Sequence, residues 1–560
     1  MKITEDVMNR TYNDKMFIET FEREYTWLSG FMRNVRRYGK RPAVLDPAEG
    51  KSWTYEQLNV EANKLAQALI RCGIQKDDVV MIALRNCPAF CFAYAGVRKS
   101  GAILLAANYN LASGEMAALI ERNRPKVIIY SANVVQTVTA ALQSSSHKVA
   151  LAVLADNIEA VSLPSGHASY EQFTEGESGE EFPLPFVPNI YDEVVRLCTS
   201  GTSSLPKSVP VNNICEVLTA HDVIMQCALN ATDITLNMTP WFHRGGCHSA
   251  GPCPVFYVGG AVAAMRVFQP KTALDWISHW GVTFMIGAPA SLKMICKAQR
   301  KSPRNLESLR ALIAMGSPLS KDDCIECMES LTPNVFNGYG TTETFWNSML
   351  LPRDLPERAG SAGISCIDDE IRVVRLCEEG RAEPDDTVAK DGVTQGEVII
   401  KSPAKSTYAY IGDPQNEAEK FYKGWMYTGD TGTWDSQSYV TIKGRKDDMM
   451  IVSGENIYPT QIEEAVNRCP KVKDSAATSV PDKIRGQAIV VYVIAKEGEE
   501  LTLEEVRSWC DESPDLSVYK RPRYFAFIDT IPATATGKKL RNQIKQKALE
   551  DLSAGSLKKL

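Results

Sequence analysis

The feature that most constrains this chain is the regular alternation of amphipathic helical stretches with short, continuously apolar runs. Residues 52–72 place Trp53, Leu58, Ala62, Leu65, Ala68 and Leu69 at the spacing of one helix face. An apolar run with polar flanks follows at Val79–Leu84 and reads as a strand. The pair recurs as helix Glu115–Arg122 with strand Lys126–Tyr130, and as helix Ala273–Trp280 with strand Thr283–Ile286. Such alternation buries its apolar faces best as helices layered on largely parallel sheets, an α/β fold.

With 560 residues the chain is too long for one ordinary core, and about three or four units are expected. Residues 156–190 lack periodicity, are rich in Ser, Glu, Gly and Pro, and read as an exposed connection before a strand at Glu193–Cys198. From Ile371 the texture changes to short alternating strands at Ile371–Arg375, Gly396–Ile400 and Tyr439–Ile442, separated by turns. The last stretch, with two helices and several strands, reads as a small separate domain.

A formal net charge of −6 argues against a nucleic-acid protein, whose footprint is a basic excess. The polar N-terminus lacks the apolar stretch of a signal peptide, and no run reaches the roughly 18 apolar residues of a membrane span. Lys558, Lys559 and Leu560 fall short of the peroxisomal address SKL. The chain therefore reads as soluble and cytoplasmic. Its 15 cysteines suit reduced thiols rather than a disulfide framework. Cys324 and Cys327 form a lone CxxC without the further ligands of a zinc site, and read as two helix residues, one of them buried.

Chemistry concentrates in five segments. LCTSGTSSLPKSV, Leu197–Val209, follows a short strand and crowds Thr, Ser and Gly before Lys207. Hydroxyls and backbone N–H groups in such a loop make an anion cradle, and the lysine adds a point charge. The common triphosphate pattern, GxxxxGK followed by Ser or Thr, fails because Pro206 holds the second glycine's place. An ordinary polar loop has the same composition. The segment NGYGTTET, Asn337–Thr344, is a second Gly/Thr-rich turn whose Glu343 can hold magnesium. In YTGD, Tyr427–Asp430, an aspartate after a tight turn can accept from two ribose hydroxyls. The fourth and fifth segments are GRKDDMMIVSGENIYP, Gly444–Pro459, and PATATGKKLR, Pro532–Arg541.

In this order, the five segments resemble the adenylate-forming superfamily of acyl- and aryl-CoA synthetases, peptide-synthetase adenylation domains and luciferases. GSPLS, Gly316–Ser320, GEVIIKSP, Gly396–Pro403, and VPDKIRGQ, Val480–Gln487, agree. The resemblance runs from about Trp53 to Ala548. It implies a large N-terminal domain, residues 1–446, of parallel-sheet α/β subdomains plus a β-barrel-like subdomain. A small mobile α+β domain, 447–560, would carry the catalytic lysine. By resemblance, Thr199, Ser200, Gly201, Thr202, Ser203 and Lys207 bind the ATP phosphates. Gly316, Asn337, Gly338 and Tyr339 line the adenine, Thr342 contacts the α-phosphate, and Glu343 binds magnesium. Asp430 and Arg445 hold the ribose, Asp447 is the hinge, and Lys538 reaches the reacting carboxylate. Gly454 and Glu455 lie along the pantetheine arm of CoA.

The resemblance also places TPWFHRGGCHSAG, Thr239–Gly251, at the acyl site. His243 stands beside the acyl carboxylate, with a packed core histidine as the alternative. Trp241, Cys247 and Met285 are expected as apolar walls, and Gly287, Ala288, Gly316 and Gly340 as small borders with room for a ring or medium chain. Arg244 has three readings: partner of a second substrate carboxylate, surface residue, or CoA-phosphate contact. His248, with no third ligand nearby, is not expected to join a metal site. The loop departs from the usual SGTTGxPKG, with Ser203 and Ser204 for Thr-Gly and Ser208 for the second glycine.

The expected function is an AMP-forming acid–CoA ligase using ATP, Mg2+ and CoA on a small carboxylic acid; a homodimer is compatible with it. SGENIYP, Ser453–Pro459, resembles the CoA-ligase version of that segment. The alternatives are an adenylating enzyme that loads a carrier protein, a catalytically silent nucleotide-binding homologue, and an oxygenase of the luciferase type, which nothing in the sequence calls for.

Overall fold

The computed structural model describes residues 14–199, 207–377, 380–452, 455–482, 486–513, 516, 520–534 and 537–560. Among these, two large sheets carry the N-terminal part. The first orders its nine strands as Ile364–Ser365, Phe345–Leu350, Val335–Thr341, Ala311–Met315, Phe284–Gly287, Ile234–Asn237, Ala261–Ala263, Pro42–Asp46 and Lys51–Thr54. From Val335–Thr341 to Pro42–Asp46 every pairing is parallel; the flanking pairings are antiparallel. The second sheet has seven strands, parallel except for the closing hairpin of Glu193–Thr199 with Lys207–Asn212.

The helix expected over 52–72 begins later. Lys51–Thr54 is an edge strand, and Thr54 caps the helix Tyr55–Arg71 in a reciprocal box with Gln57. Trp53 thus belongs to the strand, where its ring meets Phe92 edge-on at 5.5 Å. Leu58, Ala62, Leu65, Ala68 and Leu69 form the buried helix face. They pack on Pro88–Lys99, a helix buried at every residue that no periodicity announces because it has no solvent face. Its two cations stay charged through partners: Arg98 pairs with Glu216 at 2.7 Å, and Lys99 with Glu181 at 2.9 Å.

The connection 156–190 is less irregular than its composition suggests. It adds the edge strand His167–Ser169 and the helical turn Tyr170–Thr174, with Tyr170 and Phe173 buried. Beyond it, a five-stranded antiparallel sheet holds Glu370–Val374, Gly396–Lys401, Phe421–Tyr422, Trp425–Trp434 and Val440–Arg445. YTGD therefore lies inside one ten-residue strand rather than at a turn. Gly429, at φ 73°, kinks that strand and so aims Asp430 out of it.

The C-terminal α+β domain has a four-stranded sheet of Val472–Asp482, Gly486–Ala495, Tyr524–Phe527 and Lys558–Lys559. It carries three helices among the described residues, Pro459–Asn467, Leu503–Glu512 and Arg541–Ser553, one more than the sequence suggests. Lys558 and Lys559 pair with Tyr524 and Phe525, and Leu560 packs on that domain's core, so the last residues do not form a free tail.

NGYGTTET is likewise mostly strand. Val335–Thr341 turns through Thr342–Thr344 into Phe345–Leu350, with a bulge between Tyr339 and Gly340. Phe345 takes φ 61°, a costly left-handed conformation for an aromatic residue. A Cβ on Gly340 would lie 1.6 Å from the Phe345 carbonyl oxygen. Gly340 is thus required by the approach of two backbones, whatever else it borders. Gly340→Ala is expected to cost about 3 kcal/mol or more in unfolding free energy, read as a lower denaturant midpoint. An unchanged midpoint would show that the hairpin opens freely.

Candidate active site

The site begins at the hairpin that closes the seven-stranded sheet. Thr199 and Lys207 face each other across it, so the two ends of the Ser/Thr loop are clamped as a cross-strand pair. Ser200, Gly201, Thr202, Ser203 and Ser204 lie outside the described residues. Lys207 Nζ donates to Asn416 Oδ1 at 2.5 Å and stands 5.1 Å from the Tyr410 ring centre. Burial, then the Lys420 charge, pull its pKa below the ordinary lysine value. Ser208 is buried, and its carbonyl accepts from the Ile411 N–H at 2.9 Å, which ties the hairpin to the segment 402–411.

That segment delivers Tyr410, a residue sequence reasoning missed. Its hydroxyl donates to Glu343 Oε1 at 2.6 Å, and both side chains are buried. Burial, reinforced by the Glu343 charge, pushes the Tyr410 hydroxyl well above its ordinary pKa, so it stays a donor. Glu343 is held at the Thr342–Thr344 turn, where the Thr344 hydroxyl donates to Asn347 Oδ1 at 2.6 Å. One Glu343 oxygen is committed to Tyr410. A buried carboxylate with one oxygen oriented by a neutral donor, and near enough to Lys207 for its charge to act there, fits a hard divalent cation shared with phosphate oxygens.

The nucleoside side is built around Asp430. Tyr339 donates to Oδ2 at 2.7 Å, and Arg445, directly opposite on the neighbouring strand, donates to Oδ1 at 3.0 Å. Each oxygen keeps a lone pair for a further donor, in a fixed direction. Asn337 donates through Nδ2 to the Ser361 carbonyl at 2.9 Å. Gly338 packs its Cα against the Trp346 indole, whose Nε1 would stand 2.9 Å from a Cβ. Gly316, at φ 87°, faces open space and leaves room for a flat group.

The acyl side corrects several expectations. Arg244 is not at the surface. It is 3% exposed, and its guanidinium donates to the Thr342 carbonyl and the Lys405 carbonyl, each at 2.7 Å, and to the Thr219 hydroxyl at 3.4 Å. Trp241 and Cys247 belong to the main core, Trp241 edge-on to Phe90 at 5.4 Å. Met285 cannot share a wall with them. Strand alternation sends Phe284 and Ile286 to that core and Met285 to the cluster on the opposite face of the sheet. A side chain at Gly287 would meet Met238 and Leu292 on that same opposite face. Ala288 is buried and precedes the helix Pro289–Lys301. Met315, unforeseen, places its sulfur 2.9 Å from the Cβ position of Gly245, in the turn of helix that follows His243.

His248 is a core histidine. Its ring spans the Arg244 carbonyl, 3.1 Å from Nδ1, and Glu216 Oε1. Glu216, His248 and Cys253 group like metal ligands, as do Asp222, Cys366 and Asp369. Protein groups already take those places: the Arg98 cation and the His248 ring on Glu216, and the Lys405 cation between Asp222 at 2.7 Å and Asp369 at 2.6 Å. Cys324 and Cys327 are both buried, and Cys327 Sγ lies 3.7 Å from Cys296.

The loop bearing Lys538 folds on itself. Lys538 N–H donates to the Thr534 hydroxyl at 3.1 Å, and its carbonyl accepts from Thr534 N–H at 2.7 Å. Lys539 and Arg541 anchor the loop's end on Glu463. The exposed Lys538 follows Gly537, whose Cβ position is 3.3 Å from Ala290, next to Ala288. The turn Lys446–Asp448 contains Asp447. Burial holds the Asp448 carboxyl above its ordinary pKa, against the charges of Arg541, Arg445 and Lys538. Lys538 thus shares one neighbourhood with the Asp430–Arg445 pair. The strand Glu455–Ile457 pairs with Met450–Val452, and Gly454 lies outside the described residues.

Burial lowers the His243 pKa to about 4. The unfolded value is higher, about 6.5, so the unfolded chain takes up the proton first. The neutral ring's contribution is complete above about pH 6.5 and is lost progressively as pH falls toward 4. His243→Gln should therefore show a smaller drop in denaturant midpoint between pH 7 and pH 5 than the unsubstituted protein. Parallel pH profiles would remove His243 as a contributor.

Comparison with known proteins agrees with this geometry. A fatty acid–acyl-carrier-protein ligase from Streptomyces coeruleorubidus is 29% identical over 518 residues, covering 90% of this chain and 93% of that protein. A 4-coumarate–CoA ligase from Solanum tuberosum is 26% identical, with 93% of each chain covered. The crystal structure of an anthranilate CoA ligase with anthranoyl-AMP superposes with a TM-score of 0.84 at 22% identity, covering 96% of this chain and 99% of that one. Residues 31–408 match the AMP-binding enzyme family and residues 461–538 match its C-terminal domain. The chain belongs to the AMP-binding, adenylate-forming enzymes.

Proposed function

We propose that this protein is an AMP-forming acid–CoA ligase whose site is shared between a domain of residues 1–446 and a mobile domain of residues 447–560. In the first step a carboxylate oxygen of the acid attacks the α-phosphorus of ATP, and pyrophosphate leaves. In the second the CoA thiol attacks the adenylate carbonyl, losing its proton, and AMP leaves. The observation that carries the reading is the convergence of Lys207, Glu343 with Tyr410, Asp430 with Tyr339 and Arg445, and Lys538 on one cleft.

Each group has a role suited to its setting. The loop ending in Lys207 cradles the phosphates, and Thr342 contacts the α-phosphate. Glu343, oriented by Tyr410, would hold the magnesium ion with Thr342 nearby. That ion, when bound, neutralises phosphate charge. Asp430 accepts from the ribose hydroxyls while Tyr339 and Arg445 fix its carboxylate. Lys538 offsets the repulsion between two anions that must meet. A neutral His243 next to the acyl carboxylate adds no competing charge, and the pantetheine arm would pass Gly454 and Glu455.

The surroundings of the acyl site support a hydrophobic monocarboxylic acid, aryl, alicyclic or of medium chain length. Arg244 is buried with both terminal nitrogens bonded to backbone carbonyls and a hydroxyl, and its Nε alone lacks a partner, which favours bracing the site over anchoring a second carboxylate. Thioester formation assayed over a panel of such acids, with CoA or a phosphopantetheinylated carrier protein as acceptor, tests both substrate and acceptor. Preference for the carrier protein would overturn the CoA assignment. Failure of acid-dependent pyrophosphate exchange with every acid would overturn adenylation itself.

Lys538→Ala should slow acid-dependent pyrophosphate exchange by about 100- to 1,000-fold or more. Exchange at the unsubstituted rate would remove Lys538 from the first step. Asp447→Pro should leave exchange largely intact and slow thioester formation, because a fixed φ stiffens the turn about which the small domain rotates. Equal slowing of both steps would count against a hinge there.

A further inference from the structure

The helix Pro414–Lys420, on the segment between Tyr410 and the Asp430 strand, points two side chains at the phosphate side of the cleft, and neither belongs to the motifs singled out from sequence. Asn416 receives Lys207 Nζ, while its own amide donates to both oxygens of Asp413, each at 2.9 Å. Lys420, half-buried at the helix end, places Nζ 3.4 Å from the Tyr427 carbonyl and 3.4 Å from the Thr428 carbonyl. It stands 3.6 Å from the Cβ position of Gly429, one residue before Asp430.

Two ammonium groups therefore flank one space. Lys207 approaches from the loop hairpin and Lys420 from the kink that aims Asp430. Each holds only neutral oxygens: one amide for Lys207, two carbonyls at the long limit of hydrogen bonding for Lys420. Among the described residues no carboxylate is within ion-pair distance of either, although Asp413, Glu343 and Glu419 act on Lys207 from further away. The Lys420 charge works against Lys207, as its depressed pKa records. Like charges brought together in a half-buried cleft gain when an anion sits between them. A lysine has three donors, so Lys420 retains one for such an anion.

We propose that Lys420 is a polyphosphate ligand: it binds the β- and γ-phosphates of ATP, and hence the departing pyrophosphate, opposite Lys207. Asn416 is the positioning residue that holds Lys207 toward the same anion. This rests on the adenylation reading and adds to it a residue outside the five motifs. Because the ribose and α-phosphate are held elsewhere, at Asp430 and Thr342, Lys420 separates ATP and pyrophosphate from AMP.

The test is direct binding of ATP, pyrophosphate and AMP to the full chain by calorimetry, with magnesium present and no acid. Lys420→Ala should weaken ATP and pyrophosphate by about 10- to 100-fold and leave AMP unchanged. Lys420→Arg, which keeps the charge, should recover most of the loss and guards against a misfolded alanine variant. Equal weakening of AMP and ATP would make Lys420 a support of the Asp430 kink and overturn the proposal. So would unchanged binding of all three. If the unsubstituted protein binds neither ATP nor AMP, the adenylation reading fails and the proposal with it; binding by the unsubstituted protein with a silent Lys420→Ala overturns the Lys420 role alone.

Discussion

The site depends first on a buried arginine that touches no carboxylate among the described residues. Arg244 reaches from the turn of helix after His243 to the Thr342 carbonyl, the Lys405 carbonyl and the Thr219 hydroxyl. Those three partners belong to the Glu343 turn, to the segment that ends in Tyr410, and to the helix Asn213–Cys227. One planar group thereby sets the acyl side and the metal turn in register. Loss of such a donor leaves buried carbonyls unsatisfied, at a cost of about 1–3 kcal/mol for each. Its burial without a counter-charge is possible because neighbouring cations are compensated. Lys405 sits between Asp222 and Asp369, and Glu216 joins Arg98 to His248. Burial draws the Arg244 pKa down from its ordinary value, yet guanidinium stays charged at any working pH.

On the cleft side two tyrosines do for carboxylates what Arg244 does for carbonyls. Tyr410 holds Glu343 and Tyr339 holds Asp430, and burial keeps both hydroxyls protonated. A neutral donor fixes a carboxylate's direction without cancelling its charge. That matters for residues meant to meet a cation and a pair of hydroxyls. Arg445 is the exception, a charged partner for Asp430, and it acts on Asp448 together with Lys538 and Arg541 of the C-terminal domain.

How far all this was legible follows from the kind of signal each residue leaves. The parallel α/β core is readable from alternation, because Val79–Ala83, Ile103–Ala106 and Val127–Ser131 are short apolar runs between helices, whereas the polar edge strand His167–Ser169 leaves no such signal. Pro88–Lys99 is not readable, since a helix buried on all sides has no periodic face to read. The carboxylates Glu343 and Asp430 stand in Gly/Thr-rich segments that draw attention to them, but those segments read as turns and are strands with a bulge and a kink. Met285, expected as a wall with Trp241 and Cys247, packs on the other face of the sheet, because its pleat parity depends on which residue starts the strand. Tyr410, Asn416 and Lys420 were missed for another reason. They reach the site from a segment roughly 200 residues after Lys207 in sequence, and only the fold brings the two together.

The arrangement has the geometry of one step of the proposed pair. Gly537 is seated against Ala290, so Lys538 is presented to the cleft. The ion pair Arg468–Asp322 spans the two domains at 3.9 Å with both side chains largely exposed. An exposed pair at that distance is worth about 0–1 kcal/mol, and one glycine contact adds little. By contrast, the bonds of Lys539 and Arg541 to Glu463 lie within the small domain and travel with it. The loop can therefore leave the cleft together with Glu463, while the Thr460 hydroxyl's bond to the Lys443 carbonyl, 2.8 Å, and the buried Tyr458 ring against Gly444 hold the domain near the hinge. Asp448 follows Asp447, a half-buried carboxyl acted on by Arg445 and by Arg541 and Lys538 of the C-terminal domain. In the proposed rotation about Asp447, Asp448 would travel with Arg541 and Lys538 and part from Arg445, so the swing exchanges that charge for solvent at the carboxyl.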